Sequence, residues 1–162
     1  MRPTDFETLL RVLLDGEVEF ILVGGVAANL HGSARATFDV DVVYRRTAGN
    51  IARLVAALLP LEPYLRGAPP GLPFRLDAET VRAGLNFTLE TTAGDLDLLG
   101  EVVGGGTYEE LVEGTIALDL FGRTCRCVSL RQLLALKRAA GRPKDRDAIA
   151  ELEVLLEEPL RE

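Results

Sequence analysis

The sequence predicts an α/β (α+β) domain, and three observations point to it. Segments whose apolar residues recur at helical spacing are interspersed with short runs that alternate apolar and polar residues. The run Glu19-Phe20-Ile21-Leu22-Val23 reads as a strand, ends in Gly24-Gly25, and gives way to the helix-like Val26-Ala27-Ala28-Asn29-Leu30-His31. A further strand, Phe38 to Tyr44, contains Asp39-Val40-Asp41. Strand residues two apart share a face, so Asp39 and Asp41 stand side by side while Val40 and Val42 turn into a core. A chain of 162 residues, 48% apolar, is enough for one sizeable core, and residues 1–162 are read as a single domain.

The elements follow in order. Thr4-Asp5-Phe6-Glu7 has capping-box spacing, and Phe6, Leu9, Leu10, Leu13 and Leu14 recur helically, giving a helix over about 4–14. A strand over 18–23, the glycine turn, a helix near 25–31 and a loop through Gly32-Ser33-Ala34-Arg35 lead to the Asp-x-Asp strand. Thr47 caps the next helix, whose stripe is Ile51, Leu54, Val55, Leu58 and Leu59, and Pro60 with Pro63 ends it. Residues 60–76 hold too many prolines and glycines for a regular element and read as a long surface loop, either a border of the active site or a variable connection. Leu85, Phe87 and Leu89 alternate, and Thr92-Ala93-Gly94 turns the chain into an antiparallel partner, Asp95 to Leu99.

Gly104 to Gly106 lead into Thr107-Tyr108-Glu109-Glu110, a second capping box. They lack the lysine and hydroxyl of a P-loop, and the Gly-x-Gly-x-x-Gly unit of a dinucleotide fold is absent from the chain. Residues 115–121 and 123–128 form a hairpin about Gly122. Ser129 with Gln132 caps a helix to Ala140 that Gly141 stops, and a last helix, about Lys144 to Glu157, aligns Ile149, Leu152, Leu155 and Leu156, so the C-terminal helices cover about 129–157.

The formal net charge of −7 argues against a broad footprint for duplex DNA. Positive charge is concentrated locally, in Arg131, Lys137, Arg138, Arg142, Lys144 and Arg146. No apolar run has the length of a membrane span and the N-terminus lacks a signal-peptide layout, so a cytoplasmic protein is expected. Cys125 and Cys127 have no second pair and the chain has a single histidine, His31; the cysteines read as ordinary strand residues rather than zinc ligands.

Two carboxylates on one strand face raise each other's pKa, and a metal relieves that cost. Hard oxygen ligands suit magnesium, which is commonly bound by one or two carboxylates together with substrate phosphates. Gly24 and Gly25 supply the complementary part, backbone amides that an anion can approach closely.

These residues carry a resemblance. Leu22-Val23-Gly24-Gly25 followed by Arg35-Ala36-Thr37-Phe38-Asp39-Val40-Asp41 resembles the signature of the polymerase-beta-type nucleotidyltransferase superfamily, whose small bacterial members include abortive-infection and toxin–antitoxin nucleotidyltransferases. Gly94-Asp95-Leu96-Asp97-Leu98-Leu99 is similar to the strand that brings the family's third carboxylate, and Lys137 to Asp145 is similar to a stretch of the toxin-like branch. The resemblance implies a mixed central sheet with flanking helices. It also implies Asp39, Asp41 and Asp97 as metal-binding and catalytic residues, with Asp95 as the alternative third carboxylate and two Mg2+ ions as cofactor. An NTP would donate a nucleoside monophosphate to a hydroxyl of RNA, protein or a small molecule, and an antitoxin is a possible partner. Gly24, Gly25, Arg35, Lys137, Arg142 and Lys144 would bind the nucleotide, although Lys137 reads equally as a solvated helix residue and Arg35 as a surface ion-pair partner. The alternative is a non-catalytic nucleotide-binding or toxin–antitoxin partner module of the same fold.

Overall fold

The computed structural model describes residues 3–158. Helix α1 (Phe6–Asp15) buries Leu9, Leu10, Leu13 and Leu14 and leads to strand β1 (Phe20–Val23), whose four residues are all buried. Helix α2 (Gly24–Leu30) starts directly at the strand's end, and β2 (Asp39–Tyr44) returns antiparallel to β1. Then come α3 (Ala48–Leu58), the two-residue edge strand β3 (Tyr64–Leu65), α4 (Ala78–Ala83) and the hairpin of β4 (Phe87–Thr91) and β5 (Gly94–Leu99). The short α5 (Tyr108–Leu111), a second hairpin of β6 (Ile116–Leu120) and β7 (Arg123–Cys127), and helices α6 (Leu130–Ala140) and α7 (Arg146–Glu157) complete the order.

The strands form one seven-stranded mixed sheet in the order β3-β4-β5-β2-β1-β7-β6. The pairs β2 with β5 and β1 with β7 are parallel, and every other neighbour is antiparallel. This is the mixed sheet with flanking helices that the sequence implied. Val40 and Val42 are fully buried, each contributing roughly 1.5–3 kcal/mol of hydrophobic stabilisation. A one-residue slip of β2 would exchange them for Asp39 and Asp41, so burial of the valines locks the register that presents the carboxylates.

Three expectations need correction, and one element was unforeseen. The N-cap of α1 is Asp5, whose side chain accepts from the Thr8 amide; Thr4 instead donates to the Phe38 carbonyl at 2.5 Å and accepts from the Asp95 amide at 3.2 Å. The capping threonine has thus been recruited to tie the N-terminus across β2 and β5. Residues 60–76 are not wholly irregular: Leu59–Leu61 make a 3-10 turn, and Tyr64 and Leu65 pair with Glu90 and Leu89. Helix α4, capped by Asp77, was not foreseen, because six residues give too short a window for a period. The last helix begins at Arg146, since Pro143–Asp145 form a 3-10 turn first.

Elsewhere the local signals hold. Thr107 with Glu110 and Ser129 with Gln132 form reciprocal capping boxes, and Gly141 takes the left-handed conformation that ends α6. Cys125 and Cys127 are buried in β7 as free thiols, and burial pushes them up to about 11 and about 12. They are therefore neutral packing groups at ordinary pH. No helix among the described residues is long and apolar enough to cross a membrane.

Candidate metal and nucleotide site

The parallel pairing of β2 with β5 sets Asp39 against Asp95 and Asp41 against Asp97. Because all four lie at the same parity of their strands, they share one sheet face. Asp39, Asp41 and Asp97 each offer an oxygen such that the three lie within 4.8 Å of one another, close enough to hold a metal ion together. They line a cleft of about 840 Å³, with Gly24 and Gly25 among its lining residues.

Gly24 explains how Asp41 fits there. Its φ is +70°, and a Cβ at this position would lie 2.9 Å from Asp41 Cγ and collide with Oδ2. The glycine is therefore required twice, for its left-handed backbone and for the close approach of the carboxylate. The strand-to-helix junction and the first aspartate pair are a single packing unit.

The electrostatics of the three acids are unfavourable as they stand. Burial, followed by the neighbouring charges of Asp39 and Asp97, pushes the Asp41 carboxyl from an ordinary 3.8 up to about 8, and Lys137 opposes the rise without cancelling it. Asp39 is also raised, by burial and then Asp97, against the pull of Arg66. Asp41 Oδ1 is buried without a hydrogen-bond partner. A buried oxygen left open among converging acids fits a hard divalent cation, which would satisfy the atom and restore the ionised form.

A pH dependence follows. In metal-free protein the folded chain holds a proton on Asp41 that the unfolded chain releases near pH 3.8, so folding stability falls as pH rises through the interval up to about 8. Denaturant titrations at a series of pH values should show this decline, and Asp41→Asn should flatten it. An equal slope in wild type and variant would count against the protonation assigned to Asp41.

Lys137, Arg142 and Lys144 line the same cleft. Lys137 is 20% exposed and lies 3.4 Å from Asp145 Oδ1, while Arg142 Nε donates to Asp145 Oδ2 at 2.7 Å. Burial would raise the Asp145 carboxyl, but Arg142 and Lys137 together hold it below the usual range. A buried carboxylate thus anchors two cations of the basic strip. Arg138 belongs to the outer side, paired with Glu153 at 3.2 Å.

Arg35 is not brought into this cleft. It is exposed beside a smaller cavity of about 100 Å³ that shares Gly25, Ala36 and Lys137 with the main one. The Asn29 side-chain amide bonds the carbonyls of Ser33 and Arg35, and Glu151 of α7 accepts from the Ser33 hydroxyl and Ala34 amide. These contacts curl the loop onto α2 and α7, so the Arg35 charge faces Glu151 instead of the carboxylates. His31 bonds the Val128 carbonyl at 2.8 Å and lies outside the residues lining the cleft.

Sequence reasoning missed Arg66. It lies 2.8 Å from Asp97, 3.3 Å from Asp95 and 3.9 Å from Asp39. Its segment has no period to read, and only the pairing of β3 with β4 brings it to the acids. Also unforeseen were Phe38, Asn86, Glu101 and Val103 as lining residues. Phe38 and Val103 are 77% and 71% exposed, and they add to a cleft wall that already includes Val102, Leu133 and Leu136.

No protein-family model matches the chain, and no curated protein sequence matches it. Solved structures do. The chain is similar to the lincosamide antibiotic adenylyltransferase LnuA in its lincomycin-bound form, at 15% identity and a TM-score of 0.61, over 96% of this chain and 99% of that one. A putative nucleotidyltransferase from Thermotoga maritima gives 12% identity and a TM-score of 0.57, over 92% of each chain. ANT(2'')-Ia in complex with adenylyl-2''-tobramycin gives 16% identity and a TM-score of 0.51, over 93% of this chain and 84% of that one. At such identities the likeness establishes the fold, and the fold is that of nucleotidyltransferases.

Proposed function

We propose that this chain is a magnesium-dependent nucleotidyltransferase that transfers a nucleoside monophosphate from an NTP to a hydroxyl of a small-molecule acceptor. The observation that carries the reading is the convergence of Asp39, Asp41 and Asp97, with Asp41 Oδ1 left open, in a cleft that also holds Lys137. Asp39, Asp41 and Asp97 would hold one or two Mg2+ ions. When bound, the metal would neutralise phosphate charge and lower the pKa of the acceptor hydroxyl.

The chain's own groups then have distinct tasks. Gly24 and Gly25 line the cleft and would offer backbone N–H groups to the triphosphate, while the space left by their missing side chains is taken by Asp41 and Thr37. Asp97, 22% exposed, takes the proton of the acceptor hydroxyl as its oxygen forms the new bond to the α-phosphorus. The bond from that phosphorus to the bridging oxygen breaks, and pyrophosphate leaves with its charge offset by Lys137 and the neighbouring Arg142 and Lys144.

Two observations support a small-molecule acceptor. The proteins of similar fold named above were solved with lincomycin and with adenylyl-2''-tobramycin, both small molecules. Phe38 and Val103 offer apolar contact beside Glu101, and a net charge of −7 disfavours a polyanionic acceptor. A toxin-type role with an RNA or protein acceptor and an antitoxin partner rests on the sequence resemblance alone. A cytoplasmic site of action would agree with the use of NTP.

The test is incubation with labelled NTPs and Mg2+ against a panel of hydroxylated small molecules, RNA and protein extract. Label entering a small molecule is the expected result, and no label in any acceptor with a folded protein would favour the non-catalytic binding module. Lys137→Ala should slow transfer by roughly ten- to a hundred-fold, the loss of a charge-assisted contact of about 1.5–3 kcal/mol. It should also lower stability by about 1–2 kcal/mol, because Asp145 loses one of its two cations. Unchanged single-turnover labelling would remove Lys137 from the phosphate site.

A further inference from the structure

Arg66 follows directly on β3, and its amide still bonds the Thr88 carbonyl at 3.0 Å, so edge pairing fixes where the side chain starts. From there the guanidinium reaches inward. Nη2 donates to both Asp97 Oδ1 and the Leu89 carbonyl at 2.8 Å. Nε lies 3.3 Å from Asp95 Oδ2, but without alignment, so its N–H has no acceptor and the contact is an ion pair only. Two of the anchors, Leu89 and Asp95, stand outside the Asp39, Asp41 and Asp97 set.

We propose that Arg66 is the positioning residue of the carboxylate cluster: held from outside by Asp95 and the Leu89 carbonyl, it fixes Asp97 through one oxygen and leaves the other for a divalent cation. The inference rests on the nucleotidyltransferase reading for the presence of that cation. It also divides the labour between the two acids of β5. Asp97 faces the cluster, and Asp95 is the counter-charge of the arginine that orients it.

Charge alone would argue the opposite, since a cation beside a metal site repels metal and its removal should tighten binding. Asp95 changes that balance. At 3.3 Å it matches the guanidinium charge with one that does not belong to the metal set, so the pair presents little net charge to the cluster. The remaining contribution is directional. Two hydrogen bonds from one Nη2 tie the Asp97 carboxylate to the rigid β4 backbone at Leu89. Carboxylates that ligate metals depend on such outer hydrogen bonds for their orientation. Without them Asp97 would be free to turn toward solvent, being 22% exposed.

The experiment is Mn2+ titration, followed by electron paramagnetic resonance, of wild type, Arg66→Ala and Arg66→Lys, with melting curves alongside. Arg66→Ala should bind Mn2+ about 10- to 100-fold more weakly. Arg66→Lys keeps the charge but loses the planar fork, and should recover only part of the loss. Wild-type or tighter affinity in Arg66→Ala overturns the positioning role while leaving the nucleotidyltransferase reading intact. A wild type that binds no Mn2+ overturns both. If the alanine variant does not fold, Arg66→Gln carries the same comparison.

Discussion

Asp41→Asn should reduce nucleotide transfer by about a thousand-fold, ~4 kcal/mol of lost transition-state stabilisation, without harming the fold. Asparagine has nearly the same shape, so it fits over Gly24 as aspartate does. It cannot supply the anionic oxygen that Asp41 Oδ1 leaves open. Above about pH 8 the metal-free variant should be more stable than wild type, because it carries no buried charge facing Asp39 and Asp97. Loss of activity together with a gain in stability is the signature of a residue kept for chemistry at the expense of folding. Asp95→Asn should lose only about ten-fold, since Asp95 acts through Arg66. Single-turnover labelling and pH-dependent denaturation of both variants check the pair of expectations. Equal losses would restore Asp95 as a candidate third ligand.

What could be read from the sequence was local. Asp39 and Asp41 share a face because strand period is two, and Val40 and Val42 identify which face is buried. Gly24-Gly25 at the end of an apolar run marks a close approach, although only the structure shows that Asp41 is what approaches Gly24. Asp97 came from the resemblance of its apolar–acid–apolar strand to the family's, and the register of β5 on β2 puts it opposite Asp41. The failures at the site are long-range. Arg66 owes its position to two residues of edge pairing, and Arg35 is turned aside by Asn29 and by Glu151, far along the chain. Thr4 satisfied a helix-cap pattern, yet two strands offered its hydroxyl better-placed partners. Asp145 lies within the basic strip, and its burial is what gathers Lys137 and Arg142.

Gly24→Ala should disable the site nearly as fully as loss of Asp41, and for a reason that can be isolated. Alanine at a φ of +70° costs about 1–2 kcal/mol in backbone strain. Its Cβ would also collide with the Asp41 carboxylate, which must rotate away or push α2 from β2. Rotation removes Asp41 from Asp39 and Asp97, so transfer should fall by about 10²- to 10³-fold, near the effect of removing the carboxylate itself. Strain and collision separate in a double-mutant cycle with Asp41→Ala, which removes the carboxylate that is struck and leaves the backbone conformation and a Cβ contact of 3.0 Å. In the Asp41→Ala background, Gly24→Ala should cost the strain and the remaining Cβ contact in thermal stability and nothing further in transfer. Additive losses in both measurements would mean that Gly24 serves the backbone alone, with Asp41 held in place by other contacts.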